Sequence, residues 1–333
     1  MIMDSFYEWL INIGNLNFSN KTALIIGGSE ISRQYALALL KLGLKDITII
    51  TKTGNYISKF CKENQINLLI GGFEDKISSV KKVDLSIVAP PIPQTISATK
   101  MAIDSGQRNI LMEKPGSLYH QDLANMAKSC STLDIKIAYN RMVYPNFRKL
   151  QDLVKSEGGI TSCRFTFTER LGTINFEKDE PEVYRRWGIS NSLHVITMAF
   201  ELIGMPKEIH SYQYGSLEWH PSGAIFIGDG ITNQNIPFTY HADWGSGGRW
   251  GIEVNTRENS YQLIPLEDLF VCKKDTGTWN HVPFEKASSD VKQGIVEELA
   301  VMLYDKQDYR HKLLSLNEAS DYNKLAEKIF GYN

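Results

Sequence analysis

Positive charge is in no surplus in this chain of 333 residues: 36 Lys and Arg stand against 38 Asp and Glu, a formal net charge of -2. Without a basic excess, nothing in the composition gathers phosphate backbones or anionic lipid, so nucleic acid and membranes are not expected as partners. Cysteine is scarce and scattered. Cys61, Cys130, Cys163 and Cys272 each lie more than thirty positions from the next, which leaves no paired-thiol spacing for zinc or redox chemistry and fits reduced thiols. No apolar run reaches the length that crosses a bilayer, and Met1-Ile2-Met3-Asp4 carries an early acid with no basic stretch ahead of an apolar one. A cytoplasmic location is the expectation. Internal repeats and low-complexity linkers are missing as well. His120, His210, His220, His241, His281 and His311 have no close ligand partners in the sequence, so no metal is expected.

What is present reads as a globular protein, 42% hydrophobic and 22% charged, long enough for two domains with substantial cores. Residues 1–20 hold an apolar helical stripe, Phe6, Leu10 and Ile13, expected to pack on the body as an N-terminal extension. From 21 to 140, short apolar runs at 23–26, 47–51, 67–70, 85–89, 110–112 and 136–138 alternate with helical patterns such as 31–42 and 94–103. That alternation predicts a doubly wound parallel α/β domain for dinucleotide binding. Over residues 141–333 the character changes. A helix-like stretch at 145–154 leads into alternating segments at 163–168, 208–214 and 249–255, with helical patterns at 191–202, 291–304 and 317–330. A second, α+β domain is predicted there. The glycine-rich run 243–250 sits between two strand-like segments and reads as a hairpin loop.

The first predicted strand runs into Gly27-Gly28-Ser29-Glu30-Ile31-Ser32 and then directly into a helix, where backbone N–H groups would meet a dinucleotide pyrophosphate. Set on the G-x-G-x-x-G spacing, Gly27 keeps the tight turn while Ser29 and Ser32 take the two later glycine places. A generic strand-to-helix turn is the competing account. The second strand ends at Thr51-Lys52-Thr53, where NAD enzymes usually place an acid for the ribose hydroxyl. A cation between two hydroxyls suits a 2′-phosphate, so NADP is the expected cofactor, with Lys52 as the discriminating charge and NAD as the alternative.

The most specific string is Leu111-Met112-Glu113-Lys114-Pro115, which ends a strand at the sheet edge where α/β proteins bind ligands. Val88-Ala89-Pro90-Pro91 follows the fourth strand, and Tyr139-Asn140-Arg141-Met142-Val143-Tyr144-Pro145 follows the sixth. On these stretches the chain resembles the glucose-fructose oxidoreductase, inositol dehydrogenase and MocA (Gfo/Idh/MocA) family over most of its length. The resemblance implies a Rossmann sheet followed by a substrate domain with a large open, mostly antiparallel sheet that mediates homo-oligomer formation. It also implies that Lys114 contacts the reacting hydroxyl, that the Lys114-Pro115 bond is cis, and that Ala89, Pro90 and Glu113 border the cofactor. Independently of any family, an ammonium beside a carbinol or carbonyl oxygen stabilises developing negative charge.

The family's second signature is an Asp followed four positions later by a His. Here Ser190 stands in the first place and His194 in the second. A spacing of four puts the two on one helix face with Asn191 alongside, so His194 is the acid–base candidate and Ser190 and Asn191 are substrate-binding candidates. Tyr184-Arg185-Arg186-Trp187 brings guanidinium groups and aromatic rings that suit a sugar face or a phosphate, or equally a surface salt-bridge cluster. Tyr139, Arg141, Arg186 and Trp187 complete the expected substrate-binding set. The expected function is an NAD(P)-dependent oxidoreductase moving a hydride to or from a hydroxyl or carbonyl carbon of a sugar, nucleotide sugar or related polyol. Lys114 and His194 are its expected catalytic residues. Two alternatives stay open: an NAD-dependent glycosidase of the same fold, and a catalytically degenerate nucleotide-binding protein signalled by Ser29, Ser32 and Ser190.

Overall fold

The computed structural model describes residues 5–285, 290–305 and 309–332, and the chain divides into two compact units. The first unit takes residues 1–143 and 286–321, the second 144–285 and 322–333.

Strands of the first unit are apolar nearly throughout because both faces of their sheet are covered. They are β1 (Thr22–Ile26), β2 (Asp46–Thr51), β3 (Asn67–Ile70), β4 (Leu85–Val88), β5 (Asn109–Glu113) and β6 (Asp134–Ala138). In β1 every residue after Thr22 is buried. The six pair in parallel in the order β6-β5-β4-β1-β2-β3, the arrangement of dinucleotide-binding sheets. Ahead of the sheet, α1 (Phe6–Ile11) buries Leu10 and tilts Trp9 onto Tyr304 and Tyr309, with ring centroids 5.3 and 4.7 Å apart. The connections carry α2 (Glu30–Lys41), α3 (Ser58–Glu63), α4 (Phe73–Lys76), α5 (Thr95–Asp104) and α6 (His120–Ser129). On α2 the apolar stripe closes on the core through Tyr35 and Leu39.

The second unit opens with α7 (Pro145–Ser156), and its strands alternate instead of running apolar. β7 (Ser162–Phe167) buries Cys163, Phe165 and Phe167 and turns Arg164 to the other face. Next come α8 (Pro181–Arg185) and α9 (Leu193–Ile203), then β8 (Pro206–Tyr214), β9 (Ile225–Thr232), β10 (Pro237–Asp243), β11 (Trp250–Asn255), β12 (Asn259–Leu263), β13 (Phe270–Lys273) and β14 (Trp279–His281). Their order is β14-β13-β12-β11-β7-β10-β9-β8, antiparallel except for the β7–β10 pair. One face is filled with rings: Phe165 lies 5.6 Å from Tyr240 and meets Phe200 of α9 edge-on at 5.6 Å. The opposite face is open, carrying Arg164, His210, Tyr212, Tyr214, Asp229, Ile231 and Thr239. This is the period-two pattern of a sheet covered on one side only.

Two expectations need correcting. The run 243–250 is not a hairpin, since β10 and β11 both pair with β7, on its two sides, and the connection therefore crosses over that strand. Its start is pinned there: the Trp244 indole donates to the Phe167 carbonyl at 3.1 Å, and the Asp243 N–H to Thr168 Oγ1 at 3.0 Å. Nor does 141–333 form one domain. After β14 the chain returns to the first unit, where α10 (Ile295–Leu303) packs on α2 and β15 (Leu314–Ser315) joins β6 antiparallel. The last helix, α11 (Leu316–Phe330), spans the division. All nine residues of α10 are buried, so it needs cover on every side, and a stripe-facing helix such as α2 supplies part of it.

Leu299 of α10 sits in the first unit's core with no exposure. Leu299→Ala is expected to cost about 2–5 kcal/mol. Native-state hydrogen exchange should show the loss in the amides of β1 and β5, with β7 unaffected. Weakened protection in β7 alone would refute the assignment of α10 to the first unit.

Candidate active site

Parallel pairing turns the carboxyl ends of all six strands to one edge, which collects the Gly27-Gly28 turn after β1, Thr51 ending β2, Ala89 after β4, Glu113 ending β5 and Tyr139 after β6. Gly27 has φ +137°, and its N–H donates to the Ile50 carbonyl at 2.8 Å. A Cβ at Gly27 would strike the Ala89 carbonyl oxygen, and one at Gly28 would strike Thr51 Oγ1. Only glycine lets this turn lie so close to both neighbouring strands. Ser29 is the N-cap of α2 but makes no side-chain capping bond, which leaves the first-turn N–H groups without that partner. Ser32 Oγ is buried with no hydrogen-bond partner among the described residues. Donors of this kind at a helix N-terminus fit the pyrophosphate of a dinucleotide. The Glu30 side chain accepts from Arg33 Nε at 2.8 Å, from Gln34 at 2.7 Å and from the Tyr56 hydroxyl. Arg33 above all holds that carboxyl down, at about 2. Lys52 is exposed, beside a Thr51 hydroxyl that donates to the Thr53 carbonyl at 3.0 Å.

At the end of β5, Glu113 Oε2 accepts from the Tyr35 hydroxyl at 2.5 Å, and the Lys114-Pro115 bond is cis. Glu298 of α10, with no exposed surface, acts on the same pair. Burial pushes both carboxyls up; the Glu113 charge adds to the rise of Glu298, while Lys114 and Lys292 oppose the rise of Glu113 and Lys292 that of Glu298. Two carboxyls in one apolar pocket do not readily ionise together.

In the second unit the helix expected at 191–202 does not begin as an α-helix. Residues Gly188–Ser192 form a π-turn that leads into α9, so Ser190 and His194 are not related by α-helical geometry. Ser190 is buried, its Oγ turned to the carbonyls of Val183 and Trp187 at 3.3 and 3.4 Å. Arg186 is buried, ion-paired with Glu327 at 2.6 Å and stacked over the Tyr332 ring at 4.8 Å. Asn191 is half-buried and His194 buried, with the His194 ring 6.2 Å from that of Trp250. Trp187 stacks on Tyr184 at 5.9 Å and meets Trp219 edge-on at 6.3 Å. Tyr139 is buried and Arg141 half-buried, both in the first unit.

Sequence reasoning missed two groups that shape this turn. Glu169, just past β7, accepts from Ser192 Oγ at 2.5 Å and from Asn191 Nδ2 at 2.9 Å. Burial pushes its carboxyl up, against support from Ser192, Asn191 and the indoles of Trp187 and Trp250. Tyr332 closes the other end: its oxygen accepts from the Gly188 N–H at 2.9 Å and lies 2.7 Å from His220 Nε2, while His220 Nδ1 lies 2.8 Å from the Gly223 carbonyl. Only the Nδ1–H tautomer satisfies both contacts of His220, with Tyr332 donating to Nε2. Phe330 fills the space beside Gly188, where any Cβ would collide with its ring. No local pattern announces such partners, which lie as far as 144 positions apart.

Among the described residues no group of His, Cys, Asp and Glu is arranged to hold a metal ion, and no helix is long and apolar enough to cross a membrane. Fold and strand-end edge define a two-unit α/β protein with a Rossmann-type parallel sheet in its first unit. No family model matches the chain, and no curated protein matches its sequence. Solved structures do. UDP-N-acetylglucosamine 3-dehydrogenase from Acidithiobacillus ferrooxidans superposes with TM-score 0.71 at 11% identity, over 93% of this chain and 96% of the other. Levoglucosan dehydrogenase, in complex with NADH and levoglucosan, gives 0.70 at 14% identity over 93% and 95%. An oxidoreductase from Thermotoga maritima gives 0.73 at 15% identity over 93% and 96%. The fold is thus that of the Gfo/Idh/MocA enzymes, as the resemblance in the sequence implies.

Burial holds His220 neutral down to about 4, against 6.5 for a free imidazole. Between those values the unfolded chain binds a proton that the folded one does not. Stability is therefore full above pH 6.5 and declines as pH falls towards 4, by about 3 kcal/mol at most. Denaturant midpoints of the second unit should show this slope, and His220→Gln should flatten it. Equal slopes in the two proteins would contradict the account.

Proposed function

We propose that the chain is an NAD(P)-dependent oxidoreductase acting on the CH–OH group of a sugar, nucleotide sugar or related polyol, with NADP preferred. The observation that carries this reading is Lys114 at the carboxyl end of β5, on the same strand-end edge as the Gly27-Gly28 turn and Thr51. Gly27, Gly28, Ser29, Glu30 and Ile31 would hold the pyrophosphate through their backbone, and Thr51, Lys52 and Thr53 the ribose end, with Ala89, Pro90 and Glu113 along the same edge. Nicotinamide bound there supplies hydride exchange. Lys114 stabilises charge on the reacting oxygen, and His194 takes the hydroxyl proton as the C–H electron pair leaves with the hydride, or returns it in reverse. Trp187 and Asn191 offer an aromatic face and an amide to a ring and its hydroxyls. The names of the similar structures, a levoglucosan and a nucleotide-sugar dehydrogenase, support this substrate class. The open sheet face, with Tyr212, Tyr214 and Ile231 exposed, supports a homo-oligomer formed through it.

Lys114→Ala should leave the dissociation constant for NADP within a few-fold of wild type and lower turnover about 100- to 1,000-fold on a substrate found by panel screening. Near wild-type turnover would remove Lys114 from the mechanism. Lys52→Asp should reduce the NADP-over-NAD affinity ratio about tenfold or more, read by calorimetry. An unchanged ratio would assign the preference elsewhere.

A further inference from the structure

The turn ahead of His194 depends on a carboxyl that no local motif supplies. β7 is flanked by β10 and β11, and Thr168 next to Glu169 is tied to the Asp243 N–H, so the backbone that delivers Glu169 is held on both sides. Glu169 is 6% exposed and makes no ion pair among the described residues. Each of its oxygens takes one donor from the π-turn, Ser192 Oγ at 2.5 Å and Asn191 Nδ2 at 2.9 Å. Trp250 connects the carboxyl to the histidine, since its indole supports Glu169 and its ring lies 6.2 Å from that of His194. A buried carboxylate satisfied by neutral donors alone, with no cation paired to it, is costly compared with an apolar side chain of similar size. Its presence calls for a role beyond packing.

We propose that Glu169 is the positioning carboxylate of this site: it anchors Asn191 and Ser192, thereby setting where α9 and the His194 ring begin, and it supplies the negative charge that residue 190 lacks. The inference rests on the oxidoreductase reading of His194. As His194 takes the hydroxyl proton it becomes an imidazolium, which a nearby carboxylate favours. Other charged groups on the packed elements are engaged elsewhere. Arg186 pairs with Glu327, Glu201 of α9 with Arg148 at 3.4 Å, and Arg164 with Glu253 at 2.9 Å on the open face of the sheet. Arg249 is exposed, and the half-buried Tyr332 and the buried His220 are both held neutral by desolvation.

The test uses the full chain as wild type, Glu169→Gln, and Glu169→Gln combined with Ser190→Asp. The His194 ring is titrated by NMR without cofactor, its resonance assigned by its loss in His194→Ala. Glu169→Gln should lower the His194 midpoint by about half a pH unit or more, and Ser190→Asp should raise it again. In alcohol oxidation, Glu169→Gln should lower kcat about tenfold or more with KM changed less than about threefold, and shift the acidic limb of the pH profile down. Ser190→Asp should recover part of kcat. An unmoved midpoint with kcat within about twofold of wild type overturns the proposal. So does a loss of kcat with an unmoved midpoint and no recovery, the outcome for a carboxyl that only braces the fold. Should the wild type oxidise no polyol in the panel, the oxidoreductase reading falls, and the titration alone still decides for or against Glu169.

Discussion

Parallel pairing of β1 to β6 is the constraint on which the first unit depends. In a parallel sheet every strand must be re-entered from the same end, so every strand-to-helix turn emerges at the opposite edge. Gly27, Thr51, Ala89 and Glu113 are far apart in sequence yet all stand at strand ends on that edge. The cost of bringing the turns together falls on side-chain volume. Gly27 and Gly28 have room for hydrogen only, because Ala89 and Thr51 occupy the space a Cβ would need. The two later glycines of the usual motif are replaced by Ser29 and Ser32 without such a collision, and Ser32 is left with a buried hydroxyl turned to no protein partner among the described residues. The loop thus departs from the motif only where a small side chain is tolerated.

The second unit answers a different constraint, the need to satisfy polar groups in an interior dominated by rings. Phe165, Phe167, Phe226, Tyr240, Trp244 and Phe330 fill the covered face of its sheet, and polar side chains enter this region in clusters. Gly188 N–H, Tyr332 and His220 form one relay, Arg186 and Glu327 a buried ion pair, and Glu169 with Asn191 and Ser192 a third cluster. All three converge on one π-turn. A widened turn leaves its backbone groups poorly matched to α-helical partners, so outside donors and acceptors hold it in shape.

Both units share one architectural economy. The strands that carry candidate chemistry, β5 and β7, lie inside their sheets, while the edge positions are given to short or exposed strands such as β14 and β15. A central strand is held by two neighbours, so the residue leaving its end is placed within narrow limits. Glu113 and Lys114 leave β5 in this way, and Thr168 and Glu169 leave β7.

Much of this was legible from residue order alone. Apolar runs with helical intervals predict the six parallel strands to within a residue or two, because a strand buried on both faces must be apolar throughout. Glu113-Lys114-Pro115 and the Gly27-Gly28 turn are local strings at local positions, and their strand-end placement follows from that alternation. Other features depend on partners distant in the chain, which no period of 2 or 3.6 records. The return of α10 and β15 to the first unit, the crossing of the 243–250 connection over β7, and the burial of Arg186 by Glu327 are of this kind. The spacing of Ser190 and His194 reads as one helix face only if the helix is regular, and tertiary contacts from Glu169 and Tyr332 accompany the irregular turn found there. Sequence by itself determined which segments are strands and helices and which strings stand at the sheet edge, since local burial periodicity encodes those. Tertiary structure alone decided which carboxyl reaches the turn before His194, because that choice is made by hydrogen bonds across the fold between groups that have no sequence relation to one another.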